Sequence, residues 1–253
     1  MTTQTRELLI RGNLVATLII DNHRYDKIRA EILAIHNERF RGDSRIADTT
    51  AYKRGQSLAF SNTPRALSYE QRARDLGITK FHVLSPEEVV QYWRLPLPEM
   101  DVTFADTDSV ALYPNHSQNS DKELLYRRVL DILGIKRAEG PYKIFGLDVE
   151  PEDNRYGFNF LETDHVRAEK APYLERDGWV KYDNGKIVNC DQTEEGAVRI
   201  LAPESQSGIR RFYRYRSVGL DAGLDDLVDS SGAGRVQIFY DPQSRVQSLE
   251  AKV

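Results

Sequence analysis

Hydrophobic residues near the start of the chain change from a strand-like to a helix-like pattern. Residues 8–20 contain two apolar runs separated by a glycine and an asparagine, which predicts strands with a turn or bulge between them. Over residues 25–39 isoleucines instead recur at helical spacing, which predicts an amphipathic helix that lies on a sheet. The apolar stripe of this helix consists of Ile28, Ile32 and Ile35.

Two further helices are marked by a hydroxyl side chain in front of a proline. Thr63 precedes one proline and Ser85 precedes another. A hydroxyl side chain at the N-cap, followed by proline at the first helical position, is a common helix start. We therefore expect Thr63 and Ser85 to be N-caps, and we expect the first of these helices to stop at Gly77.

The segment 101–113 combines apolar residues with turn formers in the sequence DVTFADTDSVALY. Because Asp, Thr and Ser favour turns, this pattern predicts two strands joined by a tight turn at the DTDS tetrapeptide. A capping pattern at Ser120 and a glycine at position 134 bound one more predicted helix.

Beyond Gly140 the helical pattern nearly vanishes, and short β-like runs are separated by Gly, Pro, Asp and Asn. These runs cover residues 142–149, 156–160, 179–182, 186–189, 209–217 and 236–240. The order of elements predicts an α+β fold, with a mixed sheet and helices in the N-terminal part and a β-rich C-terminal part. We divide the chain into a mixed α/β portion, 1–140, and a β-rich portion, 141–253, which are two domains or two parts of one compact domain.

Composition and charge narrow the class of protein. Of the 253 residues 40% are hydrophobic and 29% are charged, which is typical of a folded protein and too polar for a membrane protein. The single cysteine, Cys190, cannot form an internal disulfide, which favours a reducing compartment. The start of the chain lacks a signal-peptide pattern, so we expect a cytoplasmic protein with no membrane partner. The net charge of -4 excludes a global positive field that would attract nucleic acid.

Two carboxylates in the DTDS tetrapeptide are the first candidate site. Asp106 and Asp108 follow an apolar run and are separated by one residue. Clustered carboxylate oxygens suit a hard divalent cation such as Mg²⁺, which can neutralise the charge that develops in phosphoryl transfer. We therefore treat both residues as candidate metal ligands and candidate catalytic residues, against the alternative that they belong to a simple turn.

The sequence FADTDSV around these carboxylates resembles motifs of two families. It is similar to the first motif of haloacid-dehalogenase-like phosphotransferases, which implies Asp106 as nucleophile and Asp108 as general acid. It also resembles the Asp-Thr-Asp-Ser hairpin of family B DNA polymerases, which implies that the two carboxylates hold catalytic metals. Either resemblance implies a metal-dependent enzyme that acts on a phosphate or a nucleotide.

A looser order of residues between positions 38 and 170 resembles that of ADP-ribosyltransferases. The resemblance implies a dinucleotide bound by an arginine, a strand that ends in Ser or Thr, and a late glutamate that orients the ribose. The residues that match this order are Arg41, Arg45, Ser61, Thr63, Arg65, Glu150 and Glu169. A well-capped helix start at Thr63 explains the middle of this order without any activity.

A strand-like run rich in arginine and aromatic residues is the last candidate site. It consists of Arg210, Arg211, Phe212, Tyr213, Arg214, Tyr215 and Arg216. Alternate residues of a strand share a face, so aromatic rings and guanidinium groups interleaved in this way can stack bases and pair phosphates of a single strand. The alternative is a sheet strand whose arginines cover apolar surface and pair with the acidic residues at 221–229.

No catalytic motif of the sequence is complete, so we expect a non-catalytic binding or assembly protein. Its predicted partner is another protein, or single-stranded nucleic acid bound by the arginine-rich and tyrosine-rich strand. A metal-dependent enzyme that uses Asp106 and Asp108, and an ADP-ribosyltransferase-like enzyme, remain as alternatives. Whether the protein is an enzyme stays open at this point.

Overall fold

A computed structural model gives the fold of the protein. It describes residues 4–6, 9–10, 13–14, 18–20, 22–47, 58–59, 61–78, 81–93, 103–114, 120–202, 207–223, 226–229, 234–236 and 238–240. The predicted α+β class is confirmed, because helices concentrate in the N-terminal part and strands in the C-terminal part of these residues.

Helices account for most of the N-terminal half of the described chain. They are α1 (Asn22–Arg39), α2 (Thr63–Asp75), α3 (Pro86–Tyr92) and α4 (Ser120–Leu133), and a short 3-10 helix follows at Pro172–Leu174. Among the described residues, no helix combines the length and the apolar character needed to cross a membrane.

Strands occur along the whole chain. The first seven are β1 (Gln4–Arg6), β2 (Leu9–Ile10), β3 (Asn13–Leu14), β4 (Leu18–Ile20), β5 (Leu58–Ala59), β6 (Phe81–Val83) and β7 (Phe104–Tyr113). The next six are β8 (Tyr142–Phe145), β9 (Asp148–Pro151), β10 (Phe158–Leu161), β11 (Arg167–Lys170), β12 (Gly178–Asp183) and β13 (Lys186–Asn189). The last five are β14 (Val198–Leu201), β15 (Gly208–Tyr215), β16 (Gly219–Asp221), β17 (Arg235–Val236) and β18 (Ile238–Tyr240).

One eight-stranded mixed sheet organises the molecule. Its strand order is β11, β8, β7, β15, β16, β14, β12, β13, and all neighbours are antiparallel except β14 and β16. The sheet takes β7 from the segment 1–140 and its other seven strands from the segment 141–253. Both portions thus build the same sheet, and their division near residue 140 stays a prediction.

Both faces of this sheet are covered. One face buries a cluster of apolar residues that includes Val89 of α3 and Phe212 of β15. The other face buries a second cluster with Leu67 of α2 and Val129 of α4. A third cluster joins α1 to the far side of α2, so α2 is buried between two apolar layers. A strand in the middle of this sheet therefore has little access to solvent.

The prediction of two strands joined by a turn at 101–113 is wrong. From Phe104 onward the segment forms the single ten-residue strand β7, while residues 101–102 lie outside the described chain. Tyr213 faces Asp106 and Arg211 faces Val110, so residues 107–109 of β7 oppose Phe212 alone. The turn formers build a β-bulge in the middle of the sheet instead of a hairpin.

The predicted N-cap of α2 is also wrong by one residue. Asn62 is the cap, and its side-chain oxygen accepts the Arg65 backbone N–H at 3.0 Å. Thr63 is the first helical residue, which leaves its hydroxyl free to bind another element. The predicted cap of α3 is confirmed, because Ser85 and Glu88 form a capping box.

Helix α1 is confirmed, but its predicted stripe needs correction. Ile32 is fully buried, whereas Ile35 is 37% exposed. The buried positions are Ile32, Leu33, His36 and Phe40, and the side chain of Ile28 lies outside the described part of the structure. Leucine, histidine and phenylalanine thus complete a face that the isoleucines alone do not define.

Candidate functional site

A buried ion pair joins β7 to β15 at the centre of the sheet. The Nε of Arg211 lies 2.5 Å from Oδ1 of Asp106, and its Nη2 lies 2.6 Å from Oδ2. Relative exposures are 2% for Arg211 and 1% for Asp106. This two-pronged geometry is the strongest arrangement of a guanidinium and a carboxylate, and it fixes the position of both side chains.

The start of α2 completes the surroundings of this ion pair. The Ser61 hydroxyl donates to Oδ2 of Asp106 at 2.5 Å and accepts the Asp106 backbone N–H at 2.6 Å. The Thr63 hydroxyl donates to Oδ1 of Asp106 at 3.4 Å. Arg211 also donates to the backbone carbonyls of Ser61 and Asp229, at 3.0 and 2.8 Å. Both carboxylate oxygens are therefore bound by protein donors.

The aromatic rings beside Arg211 add to this enclosure. Its guanidinium lies over the rings of Phe104 and Tyr213, with 5.1 and 4.9 Å to the ring centroids. Burial opposes the charge of Arg211, yet the nearby Asp106 carboxylate raises the pKa of the guanidinium above its ordinary value. The pair thus stays charged and holds the two central strands and α2 together.

Asp108, the second predicted metal ligand, has a separate neighbourhood. It is half-buried, its backbone N–H donates to the Leu84 carbonyl at 3.0 Å, and its Oδ1 accepts the Ser109 hydroxyl at 2.7 Å. Burial and the nearby carboxylates of Glu70 and Glu88 raise the pKa of Asp108 to about 8. This carboxyl is therefore largely protonated at neutral pH.

A histidine and a glutamate lie beside this carboxyl. Nε2 of His82 is 2.6 Å from Oε1 of Glu88. Burial disfavours the charged imidazole, but the hydrogen bond and the charge of Glu88, with Glu70 and Asp108 further away, raise the pKa of His82 to about 9. The charge of His82 partly offsets the local excess of carboxylates.

The structure gives Asp106 and Asp108 different partners. Asp106 binds a guanidinium, whereas Asp108 lies among carboxylates on the α3 side of the bulge. The part of the chain that the structure describes has no group of three or more His, Cys, Asp or Glu side chains arranged to hold a metal ion. A Mg²⁺ site at these two residues stays an untested prediction.

The arginine-rich and tyrosine-rich strand is β15, which lies between β7 and β16 inside the sheet. Four of its candidate residues are buried, namely Arg211, Phe212, Tyr213 and Arg214. Arg210 is half-buried, and Tyr215 and Arg216 are exposed at the end of the strand. A stacking platform needs open rings on one face, so this burial disfavours the predicted nucleic-acid surface, which stays untested.

The buried side chains of β15 have partners inside the protein. The Arg214 guanidinium stacks on the Trp93 ring at 5.1 Å, and the Tyr213 hydroxyl donates to Asp221 at 2.9 Å. The contact with Asp221 follows the alternative interpretation, in which this strand uses acidic residues of the segment 221–229. Long side chains that cover apolar surface are a common way to pack such strands.

The residues of the transferase-like order lie in several environments. Arg45 binds the Asp43 carboxylate at 2.7 Å, and Glu169 lies 3.0 Å from Nζ of Lys143. The two hydroxyls of that order already bind the Asp106 carboxylate. The remaining members are exposed Arg41, buried Arg65 and half-buried Glu150. An ADP-ribosyltransferase activity therefore stays a prediction without a shared cluster among these contacts.

Sequence reasoning missed the edge of the large sheet. Strand β11 ends the sheet, pairs with β8 on one side, and exposes all four of its residues. Its sequence, RAEK, has no apolar alternation, so only the ladder to β8 identifies it as a strand. Among the described strands no partner occupies its outer side.

Two cavities flank this edge. One of about 440 Å³ is lined by apolar side chains of the α4 end and by the start of β11. Its apolar lining includes Ile132, Leu133, Ile135, Tyr142 and Val166. The other, of about 320 Å³, lies near Tyr142, Lys170 and Pro172 at the end of the strand. The free backbone of β11 thus runs beside a concave apolar surface.

Comparisons of the chain with models of protein families, with curated proteins and with solved structures find no match. The functional interpretation therefore depends on the contacts of the described residues. Two arrangements stand out among them: the closed Asp106–Arg211 ion pair at the centre of the sheet, and the open edge strand β11.

Proposed function

We propose that the protein is a non-catalytic assembly protein that joins the free edge of its eight-stranded sheet to a strand of another polypeptide. The observation that carries this proposal is the exposed strand β11 at the end of the sheet. The outer N–H and C=O groups of an edge strand are a template for a further strand. A cytoplasmic location belongs to the same proposal, because the single cysteine offers no internal disulfide.

The support beneath β11 favours a rigid docking edge. Lys143 of β8 is buried and lies 2.6 Å from Glu87 of α3 and 3.0 Å from Glu169 of β11. These contacts tie the edge strand to its neighbour and to the helix above it. A preformed edge loses less conformational entropy when a strand is added, which favours association.

The centre of the sheet supports the non-catalytic part of the proposal. Asp106, the first residue of the predicted catalytic pair, has both carboxylate oxygens bound by Arg211 and by hydroxyls of the α2 start. A nucleophile or metal ligand needs a free lone pair directed at its substrate or ion. Such a role for Asp106 would require this ion pair to open.

Sedimentation velocity over a wide range of protein concentrations tests the proposal. The expected result is a reversible rise in mass with concentration, together with slower hydrogen exchange of the β11 amides. Ala168→Pro removes an N–H from the edge and should keep the protein monomeric. If this variant fails to fold, Ala168→Glu, which adds a charge at the same position, takes its place.

Two controls make this outcome specific. Val188→Pro places the same change on β13, the opposite edge of the sheet, and should leave association unchanged. Thermal unfolding of each variant shows whether the fold is retained. A native protein that stays monomeric at all concentrations, with equal exchange of the β11 amides throughout, overturns the proposal.

A second candidate function rests on Asp108. Its raised pKa and its position beside His82 and Glu88 are typical of a general acid, which keeps the metal-dependent or acid–base enzyme as an alternative. A screen with phosphate ester and nucleotide substrates tests it. Turnover that Asp108→Asn abolishes, and that His36→Gln retains, would favour the enzyme over the assembly protein.

A further inference from the structure

We propose that the strand added to β11 is β11 of a second copy of the chain. The two strands run antiparallel around a two-fold axis at Ala168, so that Arg167 of each copy lies opposite Glu169 of the other. This inference deepens the proposed function and rests on it, since it names the partner and the register for the same edge.

The alternation of a strand limits the registers that are available. Directly opposite residues of an antiparallel pair point to the same face of the sheet, and neighbouring residues point to opposite faces. In a symmetric pair of two β11 strands, an odd-numbered residue can therefore face only an odd-numbered one. The two-fold axis must then pass through a residue that faces its own copy.

The charges of β11 select one of these registers. An axis at Arg167 places two guanidinium groups opposite each other, and an axis at Glu169 does the same with two carboxylates. An axis at Lys170 pairs two ammonium groups. With the axis at Ala168 two small side chains meet at the centre, and each Arg167 faces a Glu169 of the second copy. Opposite charges across a strand pair stabilise it, whereas like charges destabilise it.

Both charged side chains are accessible for this contact. The side chain of Glu169 is 56% exposed although one oxygen lies 3.0 Å from Nζ of Lys143. Arg167 is exposed and uses only its Nη1 on the carbonyls of Asp164 and Val166. A guanidinium has five N–H donors, so further donors can reach a carboxylate of the second copy.

The opposite face of the edge carries apolar surface that the same axis brings together. Val166 and Ala168 line the cavity of about 440 Å³, together with Ile132 and Ile135 near the end of α4. A two-fold axis at Ala168 places the two copies of this cavity next to each other. The same patch then serves both subunits, and the assembly closes as a dimer and not as a filament.

The other edge of the sheet lacks this self-complementarity. Strand β13 has the sequence KIVN, in which Lys186 is the single charged residue. No symmetric register of two β13 strands can place opposite charges face to face. Ile187 of β13 is also buried in the core of its own subunit, so its side chain is already used. Charge complementarity thus points to β11 as the edge that pairs.

Charge reversal at the two positions tests the register. R167E and E169R each place like charges opposite each other in the homodimer, so each should associate at least about tenfold more weakly than the native protein. An equimolar mixture of R167E and E169R should restore association, because both pairs are then opposite in sign. The double variant R167E/E169R should also associate like the native protein. K186E, the same kind of change on β13, is the control and should have no effect.

Separate outcomes distinguish the register from the proposed function. Association that Ala168→Pro blocks, but that the mixture fails to restore or that grows beyond a dimer, overturns this register and leaves edge-to-edge assembly in place. A native protein that never associates overturns both. If E169R fails to fold, E169Q replaces it, and its mixture with R167E should associate more strongly than R167E alone, because one ion pair forms.

Discussion

The carboxylate of Asp106 and the guanidinium of Arg211 neutralise each other inside the sheet, with N to O distances of 2.5 and 2.6 Å. These residues come from two sequence motifs that predict two different sites, one for metal and one for nucleic acid. In the fold they are 105 positions apart and form one contact between adjacent strands. The chemistry that each motif offers is therefore directed inward.

Replacement of Asp106 by asparagine tests the structural role of this pair. Asp106→Asn leaves the Arg211 charge buried without its counter-ion, so we expect the free energy of unfolding to fall by about 3–5 kcal/mol. Asp108→Asn, two residues away on the same strand, is the matched control and should not destabilise the protein. Chemical denaturation measures both values. Equal stability of Asp106→Asn and the native protein would contradict the role of the pair.

The aromatic residues of β15 should differ in what their truncation costs. Phe212 is fully buried, so Phe212→Ala should lower the free energy of unfolding by about 3–5 kcal/mol. Tyr215 is exposed, so Tyr215→Ala should change it by less than about 0.5 kcal/mol. Denaturant titration checks the difference.

Nucleic-acid binding can be tested with the same two variants. Because the central rings of β15 are buried, we expect no binding of a single-stranded oligonucleotide to the native protein at low salt. Binding that weakens steeply with salt and is lost in Tyr215→Ala would instead support the nucleic-acid hypothesis.

His36 should make the protein less stable in acid. Burial lowers the pKa of His36 to about 3, while its Nε2–H donates to the Ile46 carbonyl at 3.0 Å and its Nδ1 accepts the Ser68 hydroxyl at 2.9 Å. An unfolded histidine binds a proton below about pH 6.5, but the folded one does not. The stability that neutral His36 contributes is thus present above pH 6.5 and is lost as the pH falls toward 3.

Unfolding of the native protein and of His36→Gln between pH 7 and pH 4 measures this effect. The difference between the two unfolding free energies should change by up to about 1.4 kcal/mol per pH unit below pH 6.5. A constant difference would mean that His36 is protonated in the folded protein. NMR of the imidazole should show the Nε2–H tautomer over this range.

Asp108 and His82 should act in the opposite direction. Burial raises the pKa of Asp108 to about 8, and that of His82 is raised to about 9 because Glu88 outweighs the effect of burial. The folded protein therefore holds protons that the unfolded chain has released, so stability falls as pH rises. The Asp108 contribution is lost between about pH 4 and 8, and the His82 contribution between about pH 6.5 and 9. Asp108→Asn should flatten the first fall and His82→Gln the second, and a slope that neither variant changes would contradict this assignment.

Divalent metal should not stabilise the native protein. Asp106 is bound by Arg211, and Asp108 is largely protonated at neutral pH, so neither offers a free carboxylate for a hard cation. We expect millimolar Mg²⁺ or Mn²⁺ to leave the melting temperature unchanged. A rise that is absent in Asp108→Asn would support the metal-dependent enzyme, since a ligand that binds only the folded state stabilises it.

Local interactions explain which elements the sequence predicts well. The capping box at Ser85 forms between residues three apart, and Gly134 ends α4 with a left-handed backbone. The Asp-Asn-Gly tripeptide gives a hairpin between β12 and β13, because Asn184 and Gly185 adopt positive φ angles of 48° and 86°. Each of these features depends on neighbours in the chain, so the sequence itself determines it.

The predictions that fail do so because partners distant in the chain decide the outcome. Turn formers at 106–109 predict a hairpin, but β8 and β15 pair with both ends of this segment and draw it into one strand with a bulge. Asn62 caps α2, while the hydroxyls on either side of it bind Asp106 of β7. No spacing in the sequence reports contacts of this kind.

The sequence by itself determined the α+β class, the helix starts and stops, and the residue types available for chemistry. Tertiary structure alone decided which of them face inward. Arg211 and Asp106 are charged residues that composition would place at the surface, yet burial is possible because each satisfies the charge of the other. In contrast, β11 is a strand only because β8 lies beside it, and its free side exists only because the sheet ends there. Pairing across the fold, and not local pattern, thus created both the closed centre and the open edge.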